Sequence, residues 1–243
     1  MSEDDSFVDK WRARWPEWQV AEVFLPPSTR ARSLAWLALR QELLDAAWAG
    51  ADPRPGEAKL AWWVEELQGW SQGRRRHPLG ITLHPSDAPW SRLATVLPAL
   101  AAARDRAVDL AKARDALLAF AAVVAEIDAV LAAEPAAPAD AAAIALQLLA
   151  QRAVHGDDGA VPLSVRARLG PDASAAEAAR AWAGELLQAW PRGQGTRAGR
   201  IHAAVLHERL RRLASHRAGP PSRWRSLVLA WCAARGRHSV PRS

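Results

Sequence analysis

The spacing of leucine and tryptophan constrains this chain most. In "GEAKLAWWVEELQGW", Leu60, Trp63, Leu67 and Trp70 recur every three or four positions, which draws one apolar stripe along an α-helix. Trp224, Leu227, Val228 and Trp231 repeat that spacing near the other end. No Val/Ile/Thr segment alternates with period two, so the pattern offers nothing to a β-sheet. Ala, Leu and Arg, all strong helix formers, are the commonest residues. The expectation is an all-α fold of roughly ten helices, in one domain covering residues 1–243.

Caps and breakers place the helices. Short helices are expected over "FVDKWRARW" and from Glu17 to Phe24, stopped by Pro26 and Pro27. Ser28 is the expected cap of the next helix, which runs to Gly50. Pro55 opens a helix to about Gln72, and Asp87 is the expected cap of a helix holding Pro98. A long alanine-rich helix is expected from Arg104 to Ala133, broken by "EPAAPAD". Further helices follow over Ala141 to His155, Ala175 to Trp190, Arg197 to Arg217 and Ser222 to Arg235, with one turn near Ser164.

Charge is unevenly spread. Residues 191–243 hold twelve arginines and one acid, Glu208, within a chain of net charge +6. Such asymmetry points to an anionic partner: a phospholipid surface, a diphosphate, nucleic acid, or the acidic remainder of the chain. The last helix, residues 222–237, can lie on an anionic bilayer through its tryptophans, or pack that stripe on the bundle. Packing of the stripe is the expectation. The single cysteine, Cys232, excludes an intrachain disulfide. The opening "MSEDDSFVDKW" has no apolar core, and the most apolar run is interrupted by Glu126 and Asp128. The expectation is a cytoplasmic chain, with the inner membrane face as a site of peripheral contact.

One acidic pair stands out. In "LALRQELLDAAW", Glu42 and Asp45 lie three residues apart on a helix, so they share a face. They read either as part of a metal site or as a solvated stripe beside Gln41. Asp157 and Asp158, followed by Gly159, read as turn chemistry or as a second acidic cluster. No Ser/His/Asp or Cys/His motif and no phosphate-binding glycine loop is present, and no catalytic residue is assigned.

Three stretches together resemble the squalene/phytoene synthase family. They are "FLPPSTRARSLAWLALRQELLDAAWAGADPRPGEAKLAWWVEELQGWSQGRRRHPLG", "ALQLLAQRAVHGDDGAVPLSVRARLG" and "RWRSLVLAWCAARGRH". The resemblance implies the isoprenoid synthase fold, with helices around a central cavity. In active members two aspartate-rich helices face each other and hold Mg²⁺, which clamps the diphosphate of a prenyl substrate during head-to-head condensation. Neutralising the departing diphosphate is the physical need.

The chain departs from that pattern at the motifs themselves. The three acid positions of the first motif fall on Leu44, Asp45 and Trp48. Those of the second fall on Val154 and Asp158, and the family's arginine falls on Ala153, beside Arg152. Tyrosines that line the active cavity are missing, because the chain has none. The pattern is closer to the divergent branch that includes a mitochondrial respiratory complex I assembly factor. Glu42, Asp45, Asp157 and Asp158 are the candidate metal ligands, and, for the transferase alternative, Arg30, Arg40 and Arg152 are the candidate diphosphate ligands. The implied function is a non-catalytic isoprenoid- or lipid-binding or assembly factor with no cofactor, acting with a prenyl diphosphate, a lipid or a protein partner. The alternatives are an active Mg²⁺-dependent prenyltransferase and, from another class, a basic helical nucleic-acid-binding protein.

Overall fold

Helix α3, Pro27–Trp48, is buried at almost every position from Ser33 to Trp48, on all sides of the helix. A helix that is buried nearly all round has to be wrapped by others. The computed structural model of the protein describes residues 3–132, 141–156, 158–191, 195–217 and 219–236. Among these residues the regular structure is entirely helical, with thirteen α-helices and no strand.

The α-helices before α3 are α1, Glu3–Arg14, and α2, Trp18–Ala21. After it come α4, Arg54–Trp70; α5, Gly80–Leu83; α6, Trp90–Ala102; α7, Leu110–Asp115; and α8, Leu118–Ala132. The chain then forms α9, Ala141–Val154; α10, Leu163–Leu169; α11, Ala175–Gln188; α12, Arg197–Ala214; and α13, Arg223–Ala234. Helices α1, α4, α5, α6 and α8 pack on α3, while α9 packs between α8, α11 and α12. One buried apolar cluster runs from Val8 to Ala230, so both ends of the chain share a core. No helix among the described residues is long and apolar enough to cross a membrane.

Close approach of α3 and α4 depends on Gly56. A Cβ there would lie 2.1 Å from the Ala46 carbonyl oxygen, so only hydrogen fits. The stripe Leu60, Trp63, Leu67 and Trp70 is buried as its spacing predicts. Glu66 is buried beside it, at 2% exposure. Its carboxylate accepts from Trp70 Nε1 at 2.8 Å and from the backbone N–H groups of Arg76 and His77 at 2.7 and 2.8 Å. Burial alone would raise this carboxyl, but these donors outweigh it and hold it below its ordinary range. Glu66 thereby fixes the basic connection "RRRHP".

Several boundaries differ from expectation. Ser28 does not cap α3, which begins at Pro27 behind Pro26, and Trp90 opens α6 behind Pro89 instead of a cap by Asp87. Proline's fixed φ supplies the entry geometry at α3, where Pro27 stands at the first helical position. The expected long helix from Arg104 is two: Asp109 adopts an extended backbone and accepts from Lys112 N–H, capping α7, and a turn at Ala116 and Leu117 precedes α8. The segment "EPAAPAD" lies outside the described residues.

Candidate functional site

The C-terminal half of α3 faces the C-terminal turns of α9 across an open cleft of about 430 Å³. Leu44, Asp45 and Trp48 line one wall, Gln151, Arg152 and His155 the other, and Arg14 at the end of α1 closes one side. The floor is a polar chain that begins in the core. Trp15 Nε1 and Gln151 Nε2 both donate to Gln41 Oε1, at 3.0 and 2.8 Å. With its carbonyl oxygen so occupied, Gln41 turns its amide to donate to Asp45 Oδ1 at 2.8 Å. Arg14 donates to Asp45 Oδ2 at 3.3 Å and through Nε to His155 Nε2 at 3.2 Å. Gln41 is only 4% exposed, so the pattern is imposed by the core and not by solvent.

His155 is neutral here. Burial is the main cause, and the guanidinium groups of Arg14 and Arg209 add to it, pushing the imidazole down to about 3. Deeper in, His202 is enclosed by Trp11, Trp15 and Trp18 and is held well below the ordinary histidine value, first by burial and then by Arg40 and Arg209. Arg209 of α12 stacks over Trp15 at 4.0 Å and makes two 2.7 Å bonds to the buried Glu17 carboxylate. This pair ties one arginine of the basic C-terminal part to an acid of the N-terminal part.

The predicted site residues separate. Asp45 faces the cleft. Glu42, which is buried, turns away from it and is bracketed by Lys10 and Lys59, each at 2.6 Å. Burial would raise its carboxyl, but the two ammonium groups outweigh that and lower it. The solvated stripe expected at Glu42 and Gln41 is therefore a buried polar seam. Asp157 lies outside the described residues, and of Asp158 only the backbone is described.

Of the three candidate arginines, Arg152 lines the cleft. It donates to the carbonyls of Ala103 and Arg104, each at 2.7 Å, and its guanidinium lies over Trp48 at 5.2 Å. Arg104 in turn donates to the carbonyls of Ala47, Ala49 and Gly50, satisfying the end of α3. Arg40 points instead toward α8, 4.0 Å from Asp128, whose Oδ1 accepts from Trp36 Nε1 at 2.6 Å. Arg30 sits at the far end of α3, about 22 Å along the axis from Asp45, and donates to the Leu25 carbonyl at 3.1 Å. Arg14 and His155 are the cleft residues the sequence reading missed. Neither stands at a motif position, and only the packing of α1 on α3 and the contact of α9 across the cleft bring them in.

The described carboxylates do not fit Mg²⁺. That ion takes hard oxygen ligands, and the oxygens of Asp45 are engaged by Gln41 and Arg14 while those of Glu42 are engaged by two lysines. Arg14 and Arg152 set two guanidinium groups on the cleft beside Leu44 and Trp48, each already bonded within the protein, Arg14 to Asp45 and His155 and Arg152 to the Ala103 and Arg104 carbonyls. No family model matches the chain, and no curated protein matches it.

Proposed function

We propose that this protein is a divergent member of the squalene/phytoene synthase type, with the isoprenoid synthase arrangement of helices. In this reading it binds a prenyl or lipid amphiphile in the cleft between α3 and α9, as a binding or assembly factor without prenyl transfer. One observation carries the reading. The two helices that the resemblance assigns to the acidic motifs face one cleft, yet Leu44 and Trp48 stand on its wall and the one described acid, Asp45, is paired with Arg14. Arginine takes the place at the head group that a carboxylate-held cation would fill.

Calorimetric titration with farnesyl diphosphate tests this. Binding of equal affinity in EDTA and in Mg²⁺ is expected, and Arg14→Ala weakens it by about ten- to a hundredfold, the worth of a hydrogen bond to a charged group. Binding that requires Mg²⁺, or none at all, would overturn the proposal. The second reading, an active transferase, rests on Asp45 lining the same cleft.

A further inference from the structure

Helix α13 is packed the other way round from its sequence pattern. Ser222 caps it, its side chain accepting from Arg225 N–H, and its inward face is small: Ser226 and Ala230 are buried against α12 and α2. At 100° per residue, Trp224, Val228, Trp231 and Arg235 fall within a sector of about 60° on the opposite side. Trp224 is 75% exposed and Trp231 41% exposed. Of the stripe expected to pack on the bundle, Trp224 and Trp231 therefore face out, while Leu227 and Val228 are half-buried. The two indoles lie about 10 Å apart along the axis and leave apolar surface that the fold does not cover, most of it on Trp224.

The surroundings of this stripe are cationic. Arg223 and Arg235 are exposed at its two ends, Arg217 is exposed in the preceding loop, and the Arg235 guanidinium lies over Trp231 at 4.4 Å. Glu208, the one acid of residues 191–243, is buried, with Arg211 and Arg225 each donating to it at 3.2 Å. The acids on the elements packed beside α13 are paired as well, Glu17 with Arg209 and Glu22 with Arg12. Nothing described on this face offsets its charge.

We infer that α13 lays the protein flat on an anionic phospholipid surface. Trp224 and Trp231 sit at head-group level, and Arg223, Arg217 and Arg235 meet the phosphates. A bilayer engages both halves of the face. A nucleic acid duplex would use the arginines and leave the two indoles and Val228 without a partner.

Co-sedimentation of the full chain with vesicles tests this. Binding is expected to vesicles of phosphatidylcholine mixed equally with phosphatidylglycerol, not to phosphatidylcholine alone, and to weaken with salt. Trp224→Ala with Trp231→Ala should lower partitioning about tenfold per indole, on roughly 60 Å² of apolar surface buried by each. Arg223→Gln with Arg235→Gln should lower it about fivefold per arginine. All four side chains are surface positions, so an unchanged thermal melt keeps the comparison valid. Parent protein that ignores anionic vesicles, or a double tryptophan variant that binds like the parent, would overturn the inference. So would a dimer without vesicles that the tryptophan changes dissolve, or salt-sensitive DNA retention that those changes leave intact.

Discussion

Consider His77, His155 and His202 as the solution is taken from about pH 7 to about pH 5. His77 is packed against Phe7 and Trp63, and burial, with only partial compensation from Glu42 and Glu66, pushes it down to about 4. His155 is pushed to about 3, and His202 lies well below its ordinary value. All three fold as neutral rings, while an unfolded histidine titrates near 6.5. The unfolded chain therefore binds more protons below that point. Their contribution is whole above about pH 6.5 and is lost as the pH falls toward 3 to 4.

At pH 5, a histidine moved from 6.5 to 3 or 4 costs about 2 kcal/mol of stability relative to pH 7. Partial exposure of His77 and His155 trims this to roughly 1–2 kcal/mol each, so the two together remove about 2–4 kcal/mol, and His202 adds to it. Asp128 works the other way, since burial raises its carboxyl and acid relieves that cost, but it is one group against three. Glu42 and Glu66 are held low and titrate below this window. Urea unfolding followed by far-UV circular dichroism across this range should show a steadily falling midpoint. His155→Gln, which keeps an acceptor for Arg14, should flatten the slope. A midpoint that holds or rises on acidification would refute the assignment of these rings as buried neutral groups.

Other consequences follow from single contacts. Gly56→Ala should destabilise by more than about 2 kcal/mol in a thermal melt, where an ordinary helical Gly→Ala gains about 1 kcal/mol; a gain would contradict the contact of α3 with α4. Glu17→Ala leaves Arg209 part-buried without its partner and should cost about 3–5 kcal/mol in urea unfolding, and a cost near zero would contradict it. Gln41→Leu strips the acceptor from Trp15 and Gln151 and should cost about 1–3 kcal/mol per donor, against near-neutrality if the polar seam carries no energy.

Much of this fold is written in local pattern. The stripe of α4 is buried as its spacing predicts, but the two caps read from the sequence, Ser28 and Asp87, are not used, and Ser174, Thr196 and Ser222, which do cap helices, are not among those read. Faces were harder to read than helices. In α13 the indoles Trp224 and Trp231 are exposed, while the small residues Ser226 and Ala230 are the ones buried against α12 and α2. Glu42 and Asp45 share a helical face by spacing, but Lys10 and Lys59 draw one away from the cleft while Arg14 meets the other. Those partners come from α1 and α4, and no property of "LALRQELLDAAW" announces them. Arg14 and His155 join the cleft from segments about 140 residues apart, a juxtaposition that only tertiary packing creates.

The most direct test incubates the full chain with geranylgeranyl diphosphate and Mg²⁺ and extracts the products. With Leu44 and Trp48 at the cleft wall and Asp45 paired with Arg14, the diphosphate is expected to be recovered intact, with no hydrocarbon formed. A Mg²⁺-dependent hydrocarbon product that disappears in Asp45→Ala would contradict the account and establish the cleft as a working prenyltransferase site.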